Sequence, residues 1–386
     1  MELFIFYNVL NNEALKYLAA GDNLNVMRRL IAFSETEGVT DAPLTELIVS
    51  LLANDENIVA ALAREHKHIG SDLYRIACAD LEQLLALAQE HSGLQYRNSK
   101  NASKFTEVYN VSIKNMTLAK SPQELLDLLI EHYKTLGGGI FAKYIAFRFD
   151  GTLEGIEQID REVTFDSLIG LEHQKQVLLE NTKALIDGRR ANNVLLFGDR
   201  GTGKSSSVKA LLNHFCGDGL RIIETQKPQI CKLPALIKEL AAHPQKFIIY
   251  LDDLSFEQQD AEYKALKIVM DGQLQPLPDN VLIYATSNRK HLVKESWADR
   301  EGGDIHKNDN MQETLSLAER FGISLVFSSP NQKEYLHIVA ELLKRRNIEM
   351  DADIEKQAII WQMNYGSKSP RCATQFVHAL QKGGTL

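Results

Sequence analysis

The chain has 386 residues, 44% of them hydrophobic, and a net charge of −8 at pH 7. That length allows two or three compact domains with ordinary cores, and the acidic balance supplies no global field for nucleic acid or an anionic membrane. Four cysteines, Cys78, Cys216, Cys231 and Cys372, lie far apart without a C-x-x-C pair, which speaks against a zinc site or disulfide framework and reads as buried free thiols.

The opening MELFIFYNVLNNEALKYL lacks a basic leader, a long apolar stretch and a cleavage site. No later run approaches the roughly 20 apolar residues that cross a bilayer, so the expectation is a cytoplasmic protein without a membrane partner. Residues 1–150 read as a helical N-terminal domain of unknown role, because apolar residues recur at helical spacing in EALKYLAA, LTELIVSLLA and DLYRIACADLEQLLALAQ. In SPQELLDLLIEHYKTLGGG, Ser121 is an N-cap, Pro122 stands at the first helical position, Glu124 at the capping-box position, and Gly137 to Gly139 stop the helix. His66 and His68 in REHKH are two apart, the wrong spacing for one helix face, and read as solvated helix surface. YIAFRFDGTLEGIEQ then alternates around an Asp-Gly turn, as a short hairpin does.

Residues 151–328 read as an α/β core. The helix EHQKQVLLENTKALIDG precedes the strand NVLLF and the helix KSSSVKALLNHF. LRIIET pairs with LPALIKELAAH, KFIIYLDDL with DAEYKALKIVMDG, and NVLIYATSN and ISLVFSS complete the strands. Such alternation predicts a mainly parallel sheet covered on both faces. Lys290 to Asn310, with His291 and His306, reads as a long charged loop. Residues 329–386 carry three helices, expected to form a lid.

The chemistry centres on LLFGDRGTGKSSSVKALL. Gly198, Gly203, Lys204 and Ser205 meet the pattern G-x-x-x-x-G-K-[ST] directly between a strand and a helix. The backbone from Gly198 through Gly201, Thr202, Gly203 and Ser206 can wrap phosphate oxygens at a helix N-terminus, with Lys204 on the β- and γ-phosphates and Ser205 on Mg²⁺. The metal needs a second anchor, expected at the end of an apolar strand beside the loop strand. FIIYLDDL offers Asp252 for it and Asp253 to orient or deprotonate the attacking water, although two such acids can also cap the next helix.

These residues resemble the ATPase superfamily called AAA+, over about residues 160–386. VLIYATSN looks like its sensor-1 strand, which implies a role for Asn288 near the γ-phosphate and water. LAERFGI is similar to the arginine-finger segment of the Holliday-junction branch-migration motor, which places Arg320 toward a neighbouring subunit's nucleotide. GSKSPRCA is similar to the lid's sensor-2 segment, which implies a phosphate contact from Arg371. Taken singly, Asn288 reads equally as a turn residue, Arg320 as a surface ion-pair partner and Arg371 as a helix-start residue. The middle region, with NNVLL, DDLSFE and YKALK, resembles a bacterial family of predicted AAA+ ATPases of unknown function.

Neither N-K-x-D nor L-S-G-G-Q occurs, which argues against a GTPase or a transporter ATPase. A small-molecule kinase would share the loop and the metal aspartate, but not Asn288, Arg320 and Arg371. Two departures from the superfamily matter. Asp253 stands where most of its motors carry glutamate; Glu257 nearby reads as a solvated helix-start residue, with assistance to the acid as the lesser alternative. QKPQICKLP lacks the aromatic residue of protein-threading pores. The implied activity is ATP binding and hydrolysis with Mg²⁺, driving the remodelling of an unknown protein partner within a homo-oligomer. A slow nucleotide-gated loader or adaptor, like the initiator and helicase-loader branch, is the alternative. LKRRN at 343–347 is too short a basic cluster to support nucleic-acid binding.

Overall fold

The structure is a computed structural model that describes residues 2–38, 42–96, 107–256, 260–271, 276–288, 317 and 319–381. The charged loop with His291 and His306, and Glu257, lie outside the described residues.

Eight helices come first: α1 (Glu13–Ala19), α2 (Asn23–Glu37), α3 (Pro43–Ala53), α4 (Ile58–Arg64), α5 (Ser71–Glu90), α6 (Glu107–Thr117), α7 (Pro122–Thr135) and α8 (Gly139–Lys143). Their apolar faces share one core, including Leu30, Leu52, Leu81, Leu84, Leu125 and Leu129. Ser121 caps α7 by accepting the Glu124 N–H at 3.1 Å, while the Glu124 carboxylate takes the Lys120 N–H at 2.7 Å, one residue beyond the expected capping-box partner. His66 and His68 are exposed, but they follow the end of α4 rather than lying on it.

A seven-stranded sheet follows: β1 (Ala146–Phe149), β2 (Leu153–Gly155), β3 (Val194–Gly198), β4 (Leu220–Thr225), β5 (Lys246–Leu251), β6 (Val281–Ser287) and β7 (Ile323–Phe327), in the order β2-β1-β4-β5-β6-β3-β7. Only the β1–β2 pair is antiparallel. Alternation sends Leu196, Ile222, Ile248 and Tyr284 to one face, against α9 (Glu172–Ile186) and α10 (Lys204–Phe215). Leu195, Ile223, Ile249 and Ile283 face α11 (Leu233–Leu240) and α12 (Ala261–Asp271) on the other. Burial on both faces explains why these strands read as continuous apolar runs. A fourth core joins α13 (Gln332–Lys344), α14 (Ala352–Tyr365) and α15 (Pro370–Gln381) around Tyr335, Val339 and Phe376.

Three expectations need correction. A domain boundary at 150/151 would cut the β1–β2 hairpin: β1 pairs in parallel with β4, and Phe141 packs in the sheet's core, so the sheet region begins before residue 146. The strand ending in Asp252 is not beside the loop strand, since β6 lies between β5 and β3. Cys78 and Cys372 are buried, but Cys231 is exposed and Cys216 half-buried, because both of the latter fall in short turns flanking β4, where Cys216 reaches only the margin of the core.

Candidate functional site

Parallel pairing brings the C-terminal ends of β3, β5 and β6 to one edge. The register matches Leu251 with Ala285 and Phe197 with Ser287. Asp252 therefore emerges beside Thr286, and Gly198 beside Asn288.

The loop leaves β3 at Gly198 with φ 134°. A side chain there would run into the Phe327 carbonyl of β7, so the turn requires glycine. The Thr202 hydroxyl donates to the Asp199 carbonyl at 2.7 Å, and the Lys204 Nζ donates to the carbonyls of Gly198 at 2.9 Å and Asp199 at 2.6 Å. The first helical bond of α10 runs from the Ser207 N–H to the Gly203 carbonyl at 2.8 Å, so the N–H groups of residues 204–206 precede the helical ladder. Burial lowers the Lys204 pKa, opposed by the charges of Asp253, Asp199 and Asp252.

The Ser205 hydroxyl donates to Asp252 Oδ1 at 3.0 Å. Tyr250 and Thr286 donate to the same oxygen at 2.6 and 2.5 Å. Burial would raise the Asp252 pKa, but the hydrogen bonds from Thr286, Tyr250 and Ser205 outweigh it and hold the carboxyl below its usual range. Burial and the Asp252 charge push the Tyr250 phenol up. Asp253 has a left-handed backbone, φ 51°, and its carboxylate accepts from the Asn288 amide, whose oxygen accepts from Lys204 at 3.2 Å. An oxygen-rich pair formed by a hydroxyl and an ionised carboxylate suits a hard divalent cation, so Ser205 and Asp252 fit Mg²⁺.

Above this edge lies a cavity of about 1060 Å³, lined by Gly201, Thr202, Gly203, Lys204, Ser205, Ser206, Asp252, Asp253, Asn288 and, from the lid, Arg371. The C-terminal helices touch the loop directly: the Arg371 N–H at the start of α15 donates to the Gly201 carbonyl at 3.3 Å. Arg320 lies outside the cavity and pairs with Asp271 at the end of α12.

Sequence reasoning missed Thr286, Tyr250 and the further cavity arginines Arg200, Arg345 and Arg346. Polar residues ending two otherwise apolar strands were the available signal for Thr286. Tyr250 reads as core, and Arg200 meets Arg345 and Arg346 only through the packing of the C-terminal helices beside the sheet. Among the described residues no group of three or more His, Cys, Asp and Glu side chains forms a metal cluster, and no helix is long and apolar enough to cross a membrane.

Residues 142–383 match the family described as "Protein of unknown function (DUF815)". No curated protein matches. Among solved structures, a single-substitution variant of Thermotoga maritima RuvB is 18% identical, with 57% of this chain and 65% of that chain covered and a TM-score of 0.40. This chain thus spans just under two thirds of that RuvB chain. The Thermotoga maritima RuvB Holliday junction branch migration motor is 16% identical, with 57% and 72% covered and a TM-score of 0.35. AMPPCP-bound DnaA from Aquifex aeolicus is 16% identical, with 58% and 66% covered and a TM-score of 0.40. The fold itself is α/β, a mainly parallel seven-stranded sheet with a glycine-rich loop between β3 and α10 and three helices packed together at the C-terminal side.

Proposed function

The chain belongs to the DUF815 family, and from the loop and carboxylates at one sheet edge we propose that it is a Mg²⁺-dependent ATPase that remodels a protein partner. The observation that carries this reading is the Ser205 hydroxyl 3.0 Å from Asp252, at the mouth of a loop whose lysine and helix N-terminus face the same cavity.

Loop N–H groups and Lys204 bind the triphosphate, Gly201, Thr202, Gly203 and Ser206 forming its cradle. Ser205 and Asp252 would hold the Mg²⁺, which would offset the charge developing on the phosphate oxygens. Asp253 accepts the proton of the attacking water, and Asn288 orients that water against the γ-phosphate. Arg371 reports the phosphates to the lid. Arg320 completes the site of a neighbouring subunit in a homo-oligomer, exchanging Asp271 for that neighbour's γ-phosphate, and the domains rotate as the nucleotide changes. The N-terminal helices α1 to α7 then carry the motion to the partner.

A second reading is a slow nucleotide-gated loader or adaptor. It is favoured by Asp253, which is one methylene shorter than glutamate and tied to Asn288. A general base must reach its water within hydrogen-bond distance, and a short, tethered acid does so less readily.

Calorimetric titration of ATP with Mg²⁺ tests the shared core of both readings. Binding by the wild type that disappears in Lys204→Ala is expected, and equal binding by both proteins overturns it. A partner captured in ATP and released in ADP, with turnover near background, selects the loader.

A further inference from the structure

We infer that Tyr250 and Thr286 are positioning residues for the cation-dependent step: their hydroxyls fix one oxygen of Asp252 so that the other is offered to the divalent ion. The inference rests on the reading of Ser205 and Asp252 as the residues that hold that ion.

A carboxylate torsion is broad and roughly two-fold, so an unrestrained aspartate spreads its oxygens over many directions. Here three hydroxyls converge on Asp252 Oδ1: Ser205 at 3.0 Å, Tyr250 at 2.6 Å and Thr286 at 2.5 Å. None of the three falls on Oδ2. Ser205 is the hydroxyl that turns to a cation when one binds. Tyr250 and Thr286 then remain on Oδ1, and the carboxylate keeps its orientation while the partner on its other side changes.

The two residues reach Asp252 from different strands. Tyr250 precedes it by two positions on β5, so strand alternation puts the ring on the same side, 5% exposed among the apolar residues that cover α10. Phenylalanine would fill that space without the hydroxyl. Thr286 lies across the β5–β6 register, one step past the Leu251–Ala285 pair.

Thr286 also acts at its acceptor end. Its oxygen accepts the Asp253 N–H at 2.8 Å, and its carbonyl accepts the Leu254 N–H at 2.7 Å. Asp253 has φ 51°, a left-handed conformation that aspartate tolerates better than most side-chain-bearing residues, and the hydrogen bonds around it hold it there. The Ser287 hydroxyl donates to the Leu254 carbonyl at 2.8 Å and completes the hold on that turn. One threonine thus aims the cation's carboxylate through its proton and the water-activating residue through its oxygen.

The test uses the full chain with ADP bound and Mn²⁺ as the paramagnetic probe, comparing wild type with Tyr250→Phe, Thr286→Val and Thr286→Ser. Removing a hydrogen bond to a charged group is expected to weaken Mn²⁺ binding about tenfold in Tyr250→Phe and Thr286→Val, with ADP affinity in EDTA held within about twofold. Thr286→Val also lowers kcat for ATP at nearly constant KM, and Thr286→Ser restores both readouts. Wild-type Mn²⁺ affinity in both hydroxyl-less variants overturns the inference while leaving the nucleotide site standing. Failure of Thr286→Ser to restore binding overturns the role given to the Thr286 hydroxyl. Absence of ADP binding in the wild type removes the proposed activity, and this inference with it.

Discussion

The edge of the sheet and the N-terminal helices handle polar groups in opposite ways. At the edge, Lys204, Asp252, Asp253 and Asn288 form short hydrogen-bonded chains that end at a cavity, and Asp253 adopts a left-handed backbone to get there. In the helical region two buried polar groups, Asp80 and His132, are held by partners within the protein. Asp80, with no exposed surface, accepts the N–H groups of Phe4, Ile5 and Phe6 at 2.7 to 3.2 Å. His132, 1% exposed, meets the Ser112 hydroxyl at 2.8 Å and packs edge-on against Tyr109 and Tyr133. Polar groups that open onto a cavity at one place, and buried groups held by neighbouring segments of the chain at the other, set the two regions apart.

Substitutions that act on one region alone can break this contrast. Lys204→Ala is expected to have the largest effect, reducing ATP binding and turnover to background while the thermal midpoint without nucleotide stays close to wild type; a parallel loss of fold would blur the distinction. Arg320→Ala should keep ATP binding but cut turnover by at least about a hundredfold, in line with other arginines supplied to a neighbouring site. Unchanged turnover would reduce Arg320 to the partner of Asp271.

Asp80→Ala should do the reverse. It leaves the buried N–H groups of Ile5 and Phe6, and that of the exposed Phe4, without their acceptor and is expected to cost about 3 kcal/mol, read from the urea midpoint, with ATP affinity of the folded protein unchanged. The smallest effect concerns pH. Burial pushes the His132 pKa down to about 4, below the roughly 6.5 of an unfolded chain. The unfolded state therefore binds the proton first, so the contribution is complete above about pH 6.5 and is lost as pH falls toward 4. Between pH 7 and 5 this amounts to about 2 kcal/mol. His132→Asn should flatten that slope; a slope equal to wild type would mean that other groups, such as the similarly depressed His243, dominate it.

Much of this sheet edge was legible because its signals are local. The loop glycines, Lys204 and Ser205 fall within eight consecutive residues, and Asp252 and Asp253 directly end an apolar run. The pairing of β1 with β4 was not, since it joins segments more than 70 residues apart without a local pattern. For the same reason Tyr250 looked like core and Thr286 like an ordinary strand residue. Their meaning depends on a register between strands 30 or more residues apart, and period-two alternation alone does not fix that register. Arg320 was legible only by resemblance, and its pairing with Asp271 agrees with the plain surface reading of a single subunit.

The central claim is tested most directly by steady-state ATP turnover per subunit, measured with Mg²⁺ over a wide range of protein concentration and with Lys204→Ala as the blank. The account predicts turnover above the blank that climbs with concentration, as neighbours complete one another's sites. Turnover equal to that of Lys204→Ala at every concentration would contradict it.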